Sequence, residues 1–224
     1  MKKIIFPLLL LALALTSCQS ALFTILALTK GTDSPPKYDI LSKGEIRVAV
    51  VPRSVYSNAY ELQNAPREIA RIVNSLLDEK VRNKKLRVVE QPKVEIWLDN
   101  CNNDFDSFAE VGRDKSIKAD IVIGFDIISF QIRDPKNAHL VQGKCHVNVE
   151  AVDCTTGEVL ASESLMIVDP PNVQLPNTSP LVEAKFRPQF IRVVAEQIAA
   201  LFHHHDPVRL QRMDVDNLEM HRLN

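Results

Sequence analysis

Three alternating segments in the second half of the chain constrain the fold most strongly. Residues 119–133, 140–152 and 158–168 each alternate apolar and polar positions, as in a strand with one buried face. The alternation in the first segment changes phase after Ile127, which predicts a β-bulge. Because turn residues follow the second segment at 153–157, the three segments predict an antiparallel meander with one solvent-facing side.

The first half of the chain predicts a strand–helix–strand unit. Residues 45–52 are a valine-rich run that ends at a proline, and residues 86–90 are a second apolar run. Between them, apolar residues recur with helical spacing after Pro66, a residue that is tolerated in the first turn of a helix. Two strands joined by such a helix are expected to be parallel.

Further helices complete the fold class. One helix follows Pro92, a short one is expected to be capped by Asp106, and a long amphipathic one begins at about Arg187. The order β-α-β-α-(α)-β-β-β-α predicts an α/β fold of the mixed α+β kind. It comprises a single mixed β-sheet of about five strands packed by three to four helices.

The amino terminus has the features of a bacterial export signal. Two lysines precede the apolar stretch Ile4–Leu15, and the residues that follow, ending at Cys18, resemble the lipobox of bacterial lipoproteins. The resemblance implies a signal peptide over residues 1–17 and a lipid on Cys18 that attaches the mature protein to the membrane. Gln19 is not the aspartate that retains enteric lipoproteins in the inner membrane. An outer-membrane lipoprotein facing the periplasm is therefore expected.

An uncleaved helix is the alternative interpretation. Ile4–Leu28 contains enough apolar residues to span a bilayer, and its flanking lysines would keep the amino end in the cytoplasm. The protein would then be a single-pass inner-membrane protein with its domain outside the cytoplasm. In the lipoprotein interpretation, residues 18–43 form the lipid anchor and tether, residues 44–206 the folded domain and residues 207–224 a polar flexible tail.

Three cysteines remain once Cys18 is assigned to lipid. Cys145 and Cys154 are separated by predicted extended strand, so they are too far apart to bridge each other. Cys101 could pair with either one in an oxidising compartment, or all three could be free.

Composition excludes several functional classes. Lysine and arginine number 27 against 28 acidic residues, so no overall positive field attracts nucleic acid. Six glycines are too few for a glycine-rich phosphate loop, and the chain has no CxxC, HExxH or GxSxG motif. We therefore expect a non-enzymatic protein without a cofactor.

Several motifs resemble the small lipoprotein domains of the TolB amino-terminal, CsgG and LpoB group. They are VAVVP at 48–52, LRVVE at 86–90, ADIVIG at 119–124, VEAVD at 149–153 and TGEVL at 156–160. The helix around Trp97 and the end of the domain near Phe202 are similar to the corresponding segments of uncharacterised planctomycete-type lipoproteins. The resemblance implies an α/β domain over residues 44–206 with an accessory or assembly role that binds envelope proteins. It transfers no catalytic residue, and the chain lacks the long alternating pair of a membrane barrel.

Two loops are the predicted contact surface for an envelope partner or for self-assembly. The loop at 53–64 carries Tyr56 and Tyr60, and exposed tyrosines favour interfaces. The proline-rich loop at 169–180 carries Pro170 and Pro171.

A small-ligand or metal-binding periplasmic sensor is the second functional hypothesis. His203 and His205 are weak metal candidates, because consecutive residues of a helix point about 100° apart and cannot all ligate one ion. A frayed helix end explains them without a metal. His146 lies on a polar strand face with Asn148 and Glu150, which indicates either a solvated face or a binding groove.

Overall fold

The computed structural model describes residues 33–42, 44–54, 64–134, 137–169, 175–176 and 180–206. Within these ranges the chain forms six strands and four α-helices. The strands are β1 (Ile46–Ser54), β2 (Leu86–Val88), β3 (Ile121–Asp134), β4 (Asn137–Asp153), β5 (Val159–Asp169) and β6 (Leu175–Pro176). The helices are α1 (Ala65–Lys80), α2 (Gln91–Asn100), α3 (Phe108–Arg113) and α4 (Pro180–Ala200).

All strands belong to one mixed sheet in the order β2-β1-β3-β4-β5, with the short β6 paired to β4. β1 is parallel to both β2 and β3, whereas β3, β4 and β5 are antiparallel. The predicted mixed α/β fold, the strand–helix–strand unit and the meander are therefore confirmed. The register between β3 and β4 shifts between Ile127 and Ser129, which confirms the predicted bulge.

The larger core lies between one face of the sheet and the helices α1 and α4. Apolar residues at helical spacing on both helices pack against alternate strand residues, as period-2 and period-3.6 patterns require when they share a core. The fully buried side chains include Ile69, Val73 and Leu77 on α1, Phe190 and Ile198 on α4, and Val48, Val50, Ile123 and Phe125 on the strands.

A smaller core covers the opposite face of β1 and β3. Ala49 and Val51 of β1 point to this side, where α2 contributes Leu98 and α3 contributes Phe108 and Val111. The valine-rich run of β1 is thus buried on both faces, as a central parallel strand requires. No residue of β5 belongs to this core, so α2 and α3 leave β5 uncovered on this side.

Two helix starts differ from the prediction. α4 begins at Pro180, about two turns before Arg187, and contains Pro188 in its interior. The apolar spacing predicted a start at about Arg187, and proline is normally confined to the first turn of a helix. Contacts of the extra turns hold them in place, including the Phe186 ring stacked on Phe190 at 6.0 Å. α3 is capped by the Ser107 hydroxyl, which accepts from the Glu110 amide, and not by Asp106.

Residues 33–42, which the sequence assigns to the tether, pack along the domain, and we call them the strap. Leu41 is 1% exposed in the larger core. The Ser34 amide donates to the His205 carbonyl at 2.8 Å, and the Tyr38 amide donates to the Leu201 carbonyl at 2.9 Å. The strap therefore runs beside the chain that follows α4. No helix in the described part of the chain is long and apolar enough to cross a membrane.

Candidate functional site

One face of the meander has no covering helix, and we call it the open face. It consists of alternate residues of β4 and β5 on the side of α3. They are Lys144, His146, Asn148 and Glu150 on β4, and Ser162, Ser164 and Met166 on β5. Because successive strand residues point to opposite sides, the intervening residues Cys145, Val147 and Val149 fill the larger core. The predicted solvent-facing side of the meander is thus confirmed.

β5 concentrates exposed apolar surface. Four large apolar side chains are exposed in the described part of the chain, and three of them are on β5: Val159 at 50%, Leu160 at 36% and Met166 at 67%. We call these three residues the apolar edge. β5 is also an edge strand, since no described strand pairs with its outer side. Exposed apolar residues on an unpaired strand edge form a template for pairing with another chain.

An ion pair stands at the border between the open face and α3. Arg53 of β1 is directly opposite Asp126 of β3, and its Nε and Nη2 donate to the two carboxylate oxygens at 2.6 and 2.8 Å. This hydrogen bonding raises the pKa of Arg53. The guanidinium also lies over the Phe108 ring, 4.7 Å from its centroid, and 5.4 Å from that of Phe105. The bidentate geometry and the stacking fix the Arg53 head group.

Phe108 reaches this position only because Gly124 lies beneath it. A Cβ atom at Gly124 would lie 2.4 Å from three atoms of the ring. Gly124 is at a regular β3 position in register with Val51, so the absence of a side chain serves packing and not a turn.

Beside this ion pair is an open pocket of about 230 Å³. Its charged lining consists of Arg53, Arg113, Asp106 and Glu150, and Val159 of the apolar edge closes one side. Arg113 is already engaged, since its guanidinium donates to the carbonyls of Cys154 and Thr155. The pocket therefore offers a balanced set of charges next to apolar surface, an arrangement that suits a polar contact at a protein interface.

A hydrogen-bonded row crosses the open face and has a defined polarity. The Ser164 hydroxyl donates to Asn148 Oδ1 at 2.8 Å, and His146 Nε2 lies 3.0 Å from the same hydroxyl oxygen. A hydroxyl has one proton, so His146 Nε2 acts as the donor to Ser164. A general base must instead accept the proton of its nucleophile. No described residue forms a hydrogen bond to the other ring nitrogen, so this Ser–His contact lacks the geometry of a catalytic pair.

The predicted contact residues come directly after β1 and β5 in the sequence. Tyr56 and Tyr60 follow β1, and Pro170 and Pro171 follow β5, but all four lie outside the described residues, as does Cys18. Val159, Leu160 and Met166 are not among the contact residues that the sequence predicts. The sequence contains a signal for two of these residues. Leu160 and Met166 occupy positions in the 158–168 alternation where solvent-facing polar side chains are expected.

The histidine cluster differs from its predicted geometry. α4 ends at Ala200, so His203 and His205 follow the helix and are not on a frayed helical turn. His205 forms a β-bridge with Ser34. His203 is 8% exposed, its Nδ1 lies 2.6 Å from the His204 carbonyl, and burial lowers its pKa. The cluster lines a pocket of about 290 Å³ together with Glu79 and Glu196. Across the described ranges, no three His, Cys, Asp or Glu side chains converge as a metal site.

The three cysteines of the domain are free thiols. Cys145 belongs to the larger core and Cys154 to the smaller one, on opposite faces of the sheet. Burial raises the pKa of Cys145 to about 12 and that of Cys154 to about 11. Both thiols are therefore poor nucleophiles.

No family model and no curated protein matches this sequence. Among solved structures, lipoprotein GNA1162 from Neisseria meningitidis is similar over 69% of this chain and 98% of its own, with 15% identity and a TM-score of 0.43. The LpoB C-terminal domain from Salmonella enterica is similar over 56% and 84%, with 15% identity and a TM-score of 0.31. TolB from Acinetobacter baumannii is similar over 75% and 28%, with 14% identity and a TM-score of 0.32. At these scores the similarities assign no function.

Proposed function

We propose that this chain is a lipid-anchored, non-enzymatic protein of the bacterial envelope that docks on a protein partner through β5. The single observation that carries the proposal is the apolar edge, Val159, Leu160 and Met166, on an unpaired strand beside the charged pocket. Edge strands of monomeric proteins are commonly protected by lysine or proline. Val159–Asp169 contains neither residue.

The occupant of β5 is proposed to be an envelope protein or a second copy of this chain, with no nucleic acid involved. A chain that adds a strand to β5 would gain backbone hydrogen bonds along the part of this 11-residue edge that the strap leaves free, since the Tyr38 hydroxyl already donates to the Ser162 carbonyl. It would also bury Met166 and Leu160, and the Arg53 head group would lie at the margin of the contact. Tyr56, Tyr60, Pro170 and Pro171 are proposed to extend this surface, because they directly follow β1 and β5 in the sequence.

Site-specific photocrosslinking tests the docking proposal. A benzoylphenylalanine replaces Met166 in the full chain, and the matched control carries it at Ile96, the fourth exposed apolar residue, on α2 at 61% exposure. After irradiation of intact membranes we expect a defined adduct from position 166 and none from position 96. An adduct of twice the chain mass indicates self-assembly, and any other defined mass indicates a partner. Failure to form an adduct at 166, or equal adducts at both positions, would refute the proposal.

The anchor is proposed from the sequence, with Cys18 as the lipidated residue and the periplasmic side of the outer membrane as the location. The motifs at 48–52, 119–124 and 149–160 support a place among TolB-, CsgG- and LpoB-like lipoproteins, near those of planctomycete type. The intact mass of membrane-extracted protein tests the anchor. Residues 18–224 plus acyl chains are expected. An unprocessed chain would support the alternative, a single-pass inner-membrane segment at Ile4–Leu28.

A further inference from the structure

A strongly basic loop joins α1 to β2. Residues 80–87 contain five cations and no carboxylate, in a chain whose formal net charge is -1. All five cations are exposed, and we call this segment the basic loop. They are Lys80, Arg82, Lys84, Lys85 and Arg87.

Two of these cations are paired and three are not. Lys80 pairs with Glu79 at 2.7 Å, and Arg82 pairs with Asp33 of the strap. Lys84, Lys85 and Arg87 have no ion pair with any described residue. The loop therefore presents three positive charges without an ion pair within four residues.

The charges in the groove beside Arg87 balance, so Lys84 and Lys85 carry most of the excess positive charge of the loop. A groove beside Arg87 contains Glu45, Glu90 and Asp120. Glu90 pairs with Lys93 at 3.2 Å, and Asp120 accepts the Arg47 amide at 2.8 Å. Glu45 and Asp120 have no described ion pair, and Arg47 and Lys93 line the same groove.

The basic loop is held to the strap. Asn83 at the centre of the loop donates through Nδ2 to the carbonyls of Leu41 and Gly44 at 3.0 and 2.9 Å. Its Oδ1 accepts the Lys85 amide at 3.0 Å. These bonds fix the backbone that carries Lys84 and Lys85, so the cations are presented from an ordered turn.

The same end of the domain is the end that leads to the anchor. The strap begins at Asp33, in contact with Arg82 of the basic loop. Cys18 precedes Asp33 by 15 residues, a span of at most about 50 Å, and Leu28 precedes it by five, at most about 18 Å. With either form of anchor, the membrane surface is within reach of the basic loop.

We infer that the basic loop binds the anionic phospholipid headgroups of the membrane that holds the anchor. The inference rests on the anchor in the proposed function and adds a second, electrostatic contact that orients the domain. Each lysine or arginine near an anionic surface strengthens binding about fivefold, so the three unpaired cations contribute at most about 10²-fold. Arg87 can also form a bidentate contact with a phosphate.

Lysine footprinting of the full chain in vesicles tests the inference. The purified, anchored protein is reconstituted in vesicles of phosphatidylcholine alone or with phosphatidylglycerol, and lysines are acetylated with a membrane-impermeant reagent. We expect Lys84 and Lys85 to be labelled at least fivefold more slowly in the anionic vesicles, and Lys185 on α4 at the same rate in both. The protection should disappear in 1 M salt, where the screening length is only about 3 Å.

Variants separate the loop from the anchor. Lys80 belongs to the same loop and should also be protected in anionic vesicles. This protection should be lost in Lys84→Gln/Lys85→Gln and kept in the matched pair Lys115→Gln/Lys185→Gln. Equal labelling of Lys84 and Lys85 in both vesicle types, with the protein floating in both, would overturn the inference and leave the anchor intact. Failure of the protein to float with either vesicle type would instead contradict the anchor, and the inference with it.

Discussion

Replacing Gly124 by alanine should destabilise the domain, because the new methyl group would clash with the Phe108 ring. The new Cβ would lie 2.4 Å from the Phe108 ring, about 1.1 Å inside the closest ordinary carbon–carbon contact. The ring cannot move away freely, because the Arg53 guanidinium packs on it at 4.7 Å from the centroid and Asp126 holds that guanidinium. Overpacking of this kind costs about 3 kcal/mol at the upper end of its range. Alanine regains up to about 1 kcal/mol of strand propensity over glycine, so the net loss is about 2 kcal/mol.

Thermal and urea unfolding measure this loss. For a domain of this size, a loss of 2 kcal/mol lowers Tm by about 4–8 °C. The matched test is the double variant Gly124→Ala/Phe108→Leu, in which the smaller side chain makes room for the methyl group. We expect Phe108→Leu alone to cost about 1–2 kcal/mol, and the double variant to cost at least about 1 kcal/mol less than the sum of the two. Additive losses, or an unchanged Tm for Gly124→Ala, would refute the account of this contact.

Three further predictions follow from the pKa shifts. Burial raises the pKa of Cys145 to about 12 and of Cys154 to about 11, so at pH 8 a thiol reagent should modify the half-buried Cys101 first; fast modification of Cys145 would contradict this. Burial lowers the pKa of His203 below 6.5, so the unfolded state binds more protons and stability should fall as the pH drops below about 6.5. Urea unfolding between pH 7 and pH 5 should show a smaller loss of stability for His203→Gln than for the unaltered protein. An equal loss in both proteins would refute the role of His203 in this pH dependence. The hydrogen bonds from Lys37 and Tyr38 lower the pKa of Glu163, so their stabilisation is complete above about pH 4.5 and is lost as the pH falls through the folded value. The loss of stability below about pH 4.5 should be smaller for Glu163→Gln than for the unaltered protein. The same acid unfolding transition in both proteins would contradict this prediction.

The sheet was predictable because its signals are local. The phase change after Ile127 predicted the bulge that the β3–β4 register shows, since a one-residue slip transfers every following side chain to the other face. The valine-rich run of β1 predicted a buried strand, and Val48 and Ala49 are buried on opposite faces.

Features that depend on tertiary contacts were not predictable in the same way. Pro188 favours a helix start, and only contacts such as Arg187 with Glu68 of α1 at 3.1 Å show that the helix begins earlier. The strap is polar with two prolines, so its composition indicates a tether, yet partners distant in sequence hold Ser34 and Tyr38. The His146–Ser164 contact depends on the β4–β5 register, which alternation alone does not determine.

The strap also connects the two surfaces that this structure singles out. Asp33 contacts the basic loop through Arg82, and five residues later the Tyr38 hydroxyl donates to the Ser162 carbonyl at 3.0 Å and to the Glu163 carboxylate at 2.9 Å on β5. Lys37 pairs with the same carboxylate, the only acidic side chain between Glu158 and Asp169. The strap thus neutralises the one charge in the middle of β5. Because the same ten residues contact the basic loop at both ends and β5 in the middle, the basic loop and β5 have a fixed relative geometry within the described domain.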